Sequence, residues 1–354
     1  MEAWYVCRAH DVQDLLMDSR IGHLDHDSAR DDTRGRLQKL ISSWPVFTDD
    51  PMAGSLKRAL APVFAIAAIA EITPRIEQQA ARLCYDTDPA DFIAGIARPA
   101  AISTLSFTFG IAYERAEYLA AASDDIMEYL MSDDRNDQVV EIAYAAALRI
   151  RAFAEDAMRA ADPSPLVAAL SEFASNTERC ETAYAMFTQL VTGTVEPLIS
   201  GLVTAALHYR SDPEADRSDR DWVELGLLYD APFHYAPRYA LDRIPELDPG
   251  IEPGDRIALV IGSAAREVHG CRISGDTASS SRYSKIAFGH GRHFCLGMQL
   301  AFAHLEAHFT AAREAGILRS IQPSNLVRKY QDGGAKYVAL PVGEKSSDCD
   351  EPTI

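Results

Sequence analysis

Cysteine is sparse in this chain: six residues of 354 (Cys7, Cys84, Cys180, Cys271, Cys295, Cys349), none paired as C-x-x-C. That scarcity argues against a disulfide framework or a structural zinc site, and it fits a reducing compartment. Long apolar runs are missing as well. No stretch of about eighteen uninterrupted apolar residues occurs, which argues against a membrane-spanning segment. Basic residues are outnumbered, 34 Lys+Arg against 52 Asp+Glu, for a formal net charge of −18. A chain so acidic is poorly suited to a sequence-independent grip on nucleic acid or on an anionic membrane. The start, Met1-Glu2-Ala3-Trp4-Tyr5, lacks the basic and apolar regions of a secretion signal. The expectation is a soluble cytoplasmic protein with no nucleic-acid or membrane partner.

What is present is globular: 47% hydrophobic and 24% charged residues, enough apolar content for a large core. The first two thirds are Ala-rich and helical in period. Residues 10–17 predict a short amphipathic helix, and 19–50 a polar, mobile loop. Apolar spacing over 51–84 predicts helix with breaks near Pro62 and Pro74. Further helices are predicted at 91–110, 115–130, 137–161 and 165–173. Residues 176–209 read as one long, mostly apolar helix kinked near Gly193, Pro197 and Gly201, buried in the middle of the protein; two helices breaking at Pro197 are the alternative. After a charged linker at 210–221 come a short helix at 222–229 and strands at 255–261 and 336–342. A Ser/Gly/Asp-rich loop is expected at 271–284 and a last helix at about 296–315. One domain is expected over 1–344, with a disordered polar tail at 345–354.

One string carries chemistry: Phe288-Gly289-His290-Gly291-Arg292-His293-Phe294-Cys295-Leu296-Gly297. Glycines that permit positive φ and close backbone approach deliver a lone Cys to a helix start. There the dipole and free N–H groups stabilise a thiolate and tune its basicity toward a metal.

The whole string resembles the haem-ligating loop of the cytochrome P450 family, Phe-Gly-x-Gly-x-[His/Arg]-x-Cys-x-Gly, at every position. The resemblance implies a mainly α fold with a small β-rich subregion, here shortened at the N-terminus. It implies haem b with Cys295 as the axial thiolate that favours O–O cleavage. By the same resemblance Phe288 packs by the sulfur, Gly289 and Gly297 shape the loop, and His293 bonds a propionate. Arg238, in Ala236-Pro237-Arg238, matches a second propionate partner. Gly262-Ser263-Ala264-Ala265-Arg266 and Ala339-Leu340-Pro341-Val342 resemble further family segments, and 176–209 corresponds to the helix crossing the distal haem face.

Departures from the family are specific. Its Glu-x-x-Arg ion pair falls on Leu225 and Leu228, and joint loss of both charges leaves no orphan. The helix that usually offers His and Arg to the propionates offers Ala53 and Lys57, the latter a point charge without Arg's fork. The distal acid–alcohol pair is replaced within Thr192-Gly193-Thr194-Val195-Glu196-Pro197. Pro197 has no N–H, so the Gly193 carbonyl is released toward water or substrate. Glu196 is a candidate general acid/base, or else a helix residue paired elsewhere. Thr194 either bonds a ligand or its own i−4 carbonyl.

The resemblance implies oxidative tailoring of a small, largely apolar natural-product-like molecule, with atypical oxygen activation or substrate assistance. A redox-neutral cyclase, isomerase or dehydratase, a peroxide-using variant, and a silent partner-binding scaffold are the alternatives. A ferredoxin reductant would dock on a basic patch of Arg282, Lys285, Arg292, Lys57 and Arg58.

Overall fold

Helical spacing of apolar residues dictates most of the architecture, and most helices form where that spacing predicts them. The computed structural model describes residues 3–24, 31–132, 135–274, 285–331 and 334–343. A strand β1 (Trp4–Val6), helix α1 (Ala9–Leu15) and strand β2 (Ile21–Gly22) open the chain. Helices α2 (Thr33–Ser42), α3 (Pro51–Leu60), α4 (Ile66–Tyr85), α5 (Arg98–Phe109), α6 (Tyr113–Met131), α7 (Asp137–Ala157) and α8 (Pro165–Phe173) follow. Then come α9 (Cys180–Thr192), α10 (Val195–Ser211), α11 (Asp219–Tyr229), β3 (Ala236–Ala240), β4 (Arg256–Leu259), α12 (Ile261–Ser274), α13 (Met298–Glu314), β5 (Val327–Gln331) and β6 (Gly334–Ala339).

Local chemistry fixes several boundaries. Asp50 accepts from the Met52 N–H while Pro51 opens α3, and Ser164 accepts from Val167 N–H with Pro165 opening α8. Ser218 and Asp221 form a reciprocal capping box on α11. Each arrangement satisfies donors that a helix start otherwise leaves bare.

Three expectations need correction. The expected loop at 19–50 contains α2, capped by Asp32 through the Gly35 N–H and burying Leu37 and Ile41. Its Arg, Lys and Gln residues hide an apolar stripe that only the facing α7 reveals. Pro74 lies inside α4 instead of breaking it. Pro74 and Ala70, whose carbonyl loses its partner, are both exposed, so water can serve that oxygen. Finally, α12 runs into the expected 271–284 loop as far as Ser274; positions 275–284 and the tail at 345–354 lie outside the described residues.

The long apolar segment is interrupted at Gly193–Thr194, not at Pro197. Pro197 is the third residue of α10, so its missing N–H and its ring both act on the carbonyl four residues back, that of Gly193. The break therefore precedes the proline. By length and mean hydropathy of 1.5, Thr177–Ser211 could cross a membrane, yet 72% of its apolar window is buried inside the protein. Together α9 and α10 contribute buried residues to the large core.

The main sheet has order β1-β4-β3-β2, with β1 parallel to β4 and the other pairs antiparallel. Its register sets Gly22 against Tyr239 and Arg238 against Ile257. A large helical core includes Phe92, Phe109, Phe187, Leu202 and Phe309. A smaller core, with Val12, Leu15, Leu228, Ile257 and Ile286, backs the sheet. One large cavity lies where the two meet.

Candidate functional site

The Cys295 loop is built by its own glycines. Gly289 and Gly291 adopt φ of +73° and +66°, conformations that cost other residues about 1–2 kcal/mol. A Cβ on Gly291 would also stand 2.7 Å from the Leu16 carbonyl oxygen. The Cys295 N–H donates to the Phe288 carbonyl at 2.9 Å and the Phe294 N–H to that of Gly291 at 3.0 Å, closing the loop. Two residues beyond Cys295, Gly297 caps α13. The Phe288 ring meets Phe302 of α13 at 5.2 Å between centroids.

Cys295 has accessible surface, but that surface faces the cavity, and protein surrounds the sulfur. Burial pushes the thiol up, while the Gly297 N–H and the Lys57 charge pull it down. The net direction reverses the sequence expectation of a thiolate held by the helix start alone. A buried sulfur met by an N–H and a cation suits a metal-bound thiolate, since coordination deprotonates a thiol outright.

Above the sulfur the cavity measures about 1290 Å³ and is lined by Cys295, Phe288, Gly289, His293, Gly297, Arg238 and Lys57. Gly193, Thr194 and Pro197 line it from the helix break, with apolar groups such as Trp44, Phe47, Phe109, Met127 and Leu198. The volume exceeds the roughly 300–1,000 Å³ of a single small-molecule pocket. A flat prosthetic group and a substrate fit together.

Cations gather along one wall. Arg238 of β3 is 6% exposed, donates to the Pro237 carbonyl at 2.7 Å, and burial lowers its pKa to about 10. Among the described residues no carboxylate pairs with it. His293 Nε2 lies 3.0 Å from Asp49 Oδ1, and Arg292 reaches the same oxygen at 3.1 Å. Burial lowers the His293 pKa and Asp49 opposes the shift. Lys57 turns its ammonium to the carbonyls of Arg292, at 2.9 Å, and Phe294, which ties α3 to the Cys loop. A buried guanidinium with no directly bonded carboxylate among the described residues and a thiol under a large cavity are the features that fit a haem with carboxylate side arms.

The distal residues part company. Thr194 Oγ donates to the Leu190 carbonyl at 2.6 Å, the local bond such residues favour in helices, yet it still faces the cavity. Glu196 does not line the cavity. It is buried with Oε1 unpartnered, and its charged neighbours are Lys336, Asp124 and Arg98. Burial raises its pKa to about 7. Two helical residues past Thr194, a side chain has turned about 200° around the axis, and that rotation takes Glu196 off the cavity side. Leu225 and Leu228 are 1% exposed, so apolar packing fills the site of the lost ion pair.

No protein-family model matches the chain. Curated relatives do. Vitamin D(3) 25-hydroxylase of Pseudonocardia autotrophica is 24% identical over 316 residues, covering 84% of this chain and 76% of its own. Nocardicin C N-oxygenase of Nocardia uniformis subsp. tsuyamanensis is 24% identical over 371 residues, 96% of this chain and 89% of its own. Among solved structures, P450BioI in complex with an acyl carrier protein bearing hexadec-9Z-enoic acid superposes with a TM-score of 0.80 at 19% identity, covering 96% and 92%. The chain belongs to the cytochrome P450 family. It is an enzyme of P450 type, and its relatives imply a haem cofactor.

The expected reductant patch on this P450 is partly redirected. Lys57 faces inward and Arg292 is held by Asp49, whereas Arg58 and Lys285 are exposed; Arg282 lies outside the described residues. Sequence reasoning missed His23 and Asp49, both cavity residues. They fall in the stretch expected to be loop, and 244 positions separate Asp49 from His293. No local signal marked either residue, because the strand before His23 is only two residues long.

Proposed function

We propose that this P450 binds haem b, with Cys295 as the residue that would hold its iron as a thiolate, and oxidatively tailors a small, largely apolar, natural-product-like molecule. A haem in that position supplies redox chemistry at iron, with the thiolate favouring O–O cleavage. The observation that carries the reading is the enclosed Cys295 sulfur beneath a cavity whose wall holds the buried Arg238, which makes no ion pair among the described residues. Arg238 and His293 would bond the haem carboxylates. Lys57, already engaged with two loop carbonyls, adds charge and holds the Cys loop in place. Phe288 shields the sulfur, and the Gly297 N–H tempers its basicity.

At the helix break the chain binds and orients. Gly193 offers a carbonyl that Pro197 cannot bond. Because the Thr194 hydroxyl proton is committed to Leu190, Thr194 accepts from a ligand and does not donate. A substrate hydroxyl donating to Thr194 or to the Gly193 carbonyl would stand where the family keeps its alcohol, which supports substrate-assisted oxygen activation. Glu196, off the cavity, contacts neither substrate nor haem. Nocardicin C N-oxygenase among the relatives supports a natural-product substrate. Absence of charge on most of the lining supports an apolar one. An acidic ferredoxin docking beside Arg58 and Lys285 is the reductant that suits the face, in the cytoplasm.

The test is the reduced carbon monoxide difference spectrum. Wild type should bind about one haem per chain and give a band near about 450 nm, and Cys295→Ser should lose that band. Turnover with and without reductant then separates oxygenase from redox-neutral chemistry. A 450 nm band that survives Cys295→Ser would overturn the assignment of the ligand.

A further inference from the structure

His23 is the most conspicuous group in the cavity that the reading above does not use. It follows β2 directly. Extending the ladder that pairs Gly22 with Tyr239 by one residue sets it beside Arg238. Its side chain is 9% exposed, it lines the cavity, and neither ring nitrogen has a hydrogen-bond partner. Asp49 holds it in place: the His23 N–H donates to Asp49 Oδ2 at 2.7 Å, while Nδ1 stays 3.5 Å from the same oxygen. The ring stands edge-on to His293 at 5.1 Å and to Phe47 at 6.4 Å between centroids. A buried, unsatisfied imidazole costs stability unless something else completes it.

Two ligands could complete it. His23, Asp49 and His293 bring their ligand atoms within 4.8 Å of one another, as a divalent cation would need. The surrounding charge decides against the cation. Arg292 sits 3.1 Å from Asp49, and Arg238 acts electrostatically on both histidines and on Asp49. Two guanidiniums beside one carboxylate repel a dication and attract a second carboxylate. The same wall lacks an N–H where the family's helix histidine would be, because α3 presents Ala53.

We infer that His23, oriented by Asp49, is a third carboxylate anchor of the haem site, donating a ring N–H to a haem propionate in place of the donor lost at Ala53. The inference rests on the haem reading above and deepens it. Asp49 is then a positioning residue that also leaves room for a second anion by sharing Arg292 and His293 with it.

The experiment titrates haem-free protein with haemin, read by tryptophan quenching (Trp44 lines the cavity), and times haem transfer from loaded protein to apomyoglobin. His23→Phe, which keeps the ring and loses the N–H, should weaken haemin binding and speed transfer by about tenfold, the scale of one hydrogen bond to a charged group. His23→Gln, which keeps a donor, should recover most of that loss. With haemin dimethyl ester the His23→Phe penalty should vanish. The band near about 450 nm should stay in every loaded variant, since the thiolate is untouched. Equal retention in wild type and His23→Phe, or an unchanged penalty with the diester, overturns the inference and leaves Cys295 ligation standing. Stoichiometric Zn²⁺ binding to haem-free protein that His23→Phe abolishes would overturn it in favour of a cation site. Failure of wild type to bind haemin would sink this inference and the haem reading together.

Discussion

The Cys295 loop and the Gly193–Pro197 break face each other across one cavity, and they were legible to different degrees. The loop is specified locally: glycines at positive φ, a closing bond from Cys295 to Phe288, and a helix cap at Gly297 all lie within ten residues. Its sequence therefore foretells its shape. At the break, local chemistry placed the interruption, through Pro197, but left open which side chain meets the cavity. Helical phase and neighbouring elements decided that Thr194 does and Glu196 does not. Short-range geometry travels with a motif, whereas the direction of a helical side chain depends on what packs around the helix.

The comparison breaks most visibly at Gly291. Gly291→Ala should destabilise by about 2–4 kcal/mol, combining a left-handed conformation with a Cβ pressed on the Leu16 backbone. Urea midpoints on the purified protein check it, and a near-neutral result would mean that the loop is not held by glycine geometry.

Glu196 sharpens the other side. Its folded pKa, about 7, stands above the carboxylate's ordinary 4.5, so the native state prefers the neutral acid. The contribution of this group to stability is then fully present below pH 4.5 and is lost as pH rises through that range to 7. Glu196→Gln should accordingly stabilise by about 1–3 kcal/mol at pH 8 and by almost nothing at pH 4. The amide should also leave turnover within about twofold, since a role in positioned acid–base catalysis would be worth about a hundredfold or more. A collapse of turnover with unchanged substrate binding would return Glu196 to the chemistry.

The smallest effect belongs to Pro197. Pro197→Ala restores an N–H beneath the Gly193 carbonyl and should join α9 to α10, changing stability by under about 1 kcal/mol. Amide hydrogen exchange over residues 193–198 should slow, and substrate-induced spectral shifts should weaken as the free carbonyl disappears. Unchanged exchange would show that the break is held by tertiary packing and not by the proline.

Much of the helical frame could be read from the chain. Residues 165–173 were bounded to the residue, and in the structure Pro165 opens that helix while Ser164 caps it. Helix α2 was missed because its apolar stripe is narrow and its partner lies about a hundred positions away. The candidate site divides in the same way. Cys295, Phe288, Gly289, His293 and Gly297 share one motif, but His23 and Asp49 join them only in the folded chain.

By itself the sequence determined the thiol-bearing loop, the helical periodicity and the presence of an irregularity between Gly193 and Gly201, because glycine, proline and apolar spacing act within a few residues. The tertiary structure alone decided the charge pattern of the cavity wall. The sheet register brings His23 beside Arg238, and the fold of α3 against the Cys loop brings Asp49 to His293 and Arg292. Electrostatic contacts of that kind depend on distance in space, and no local feature of the chain encodes them.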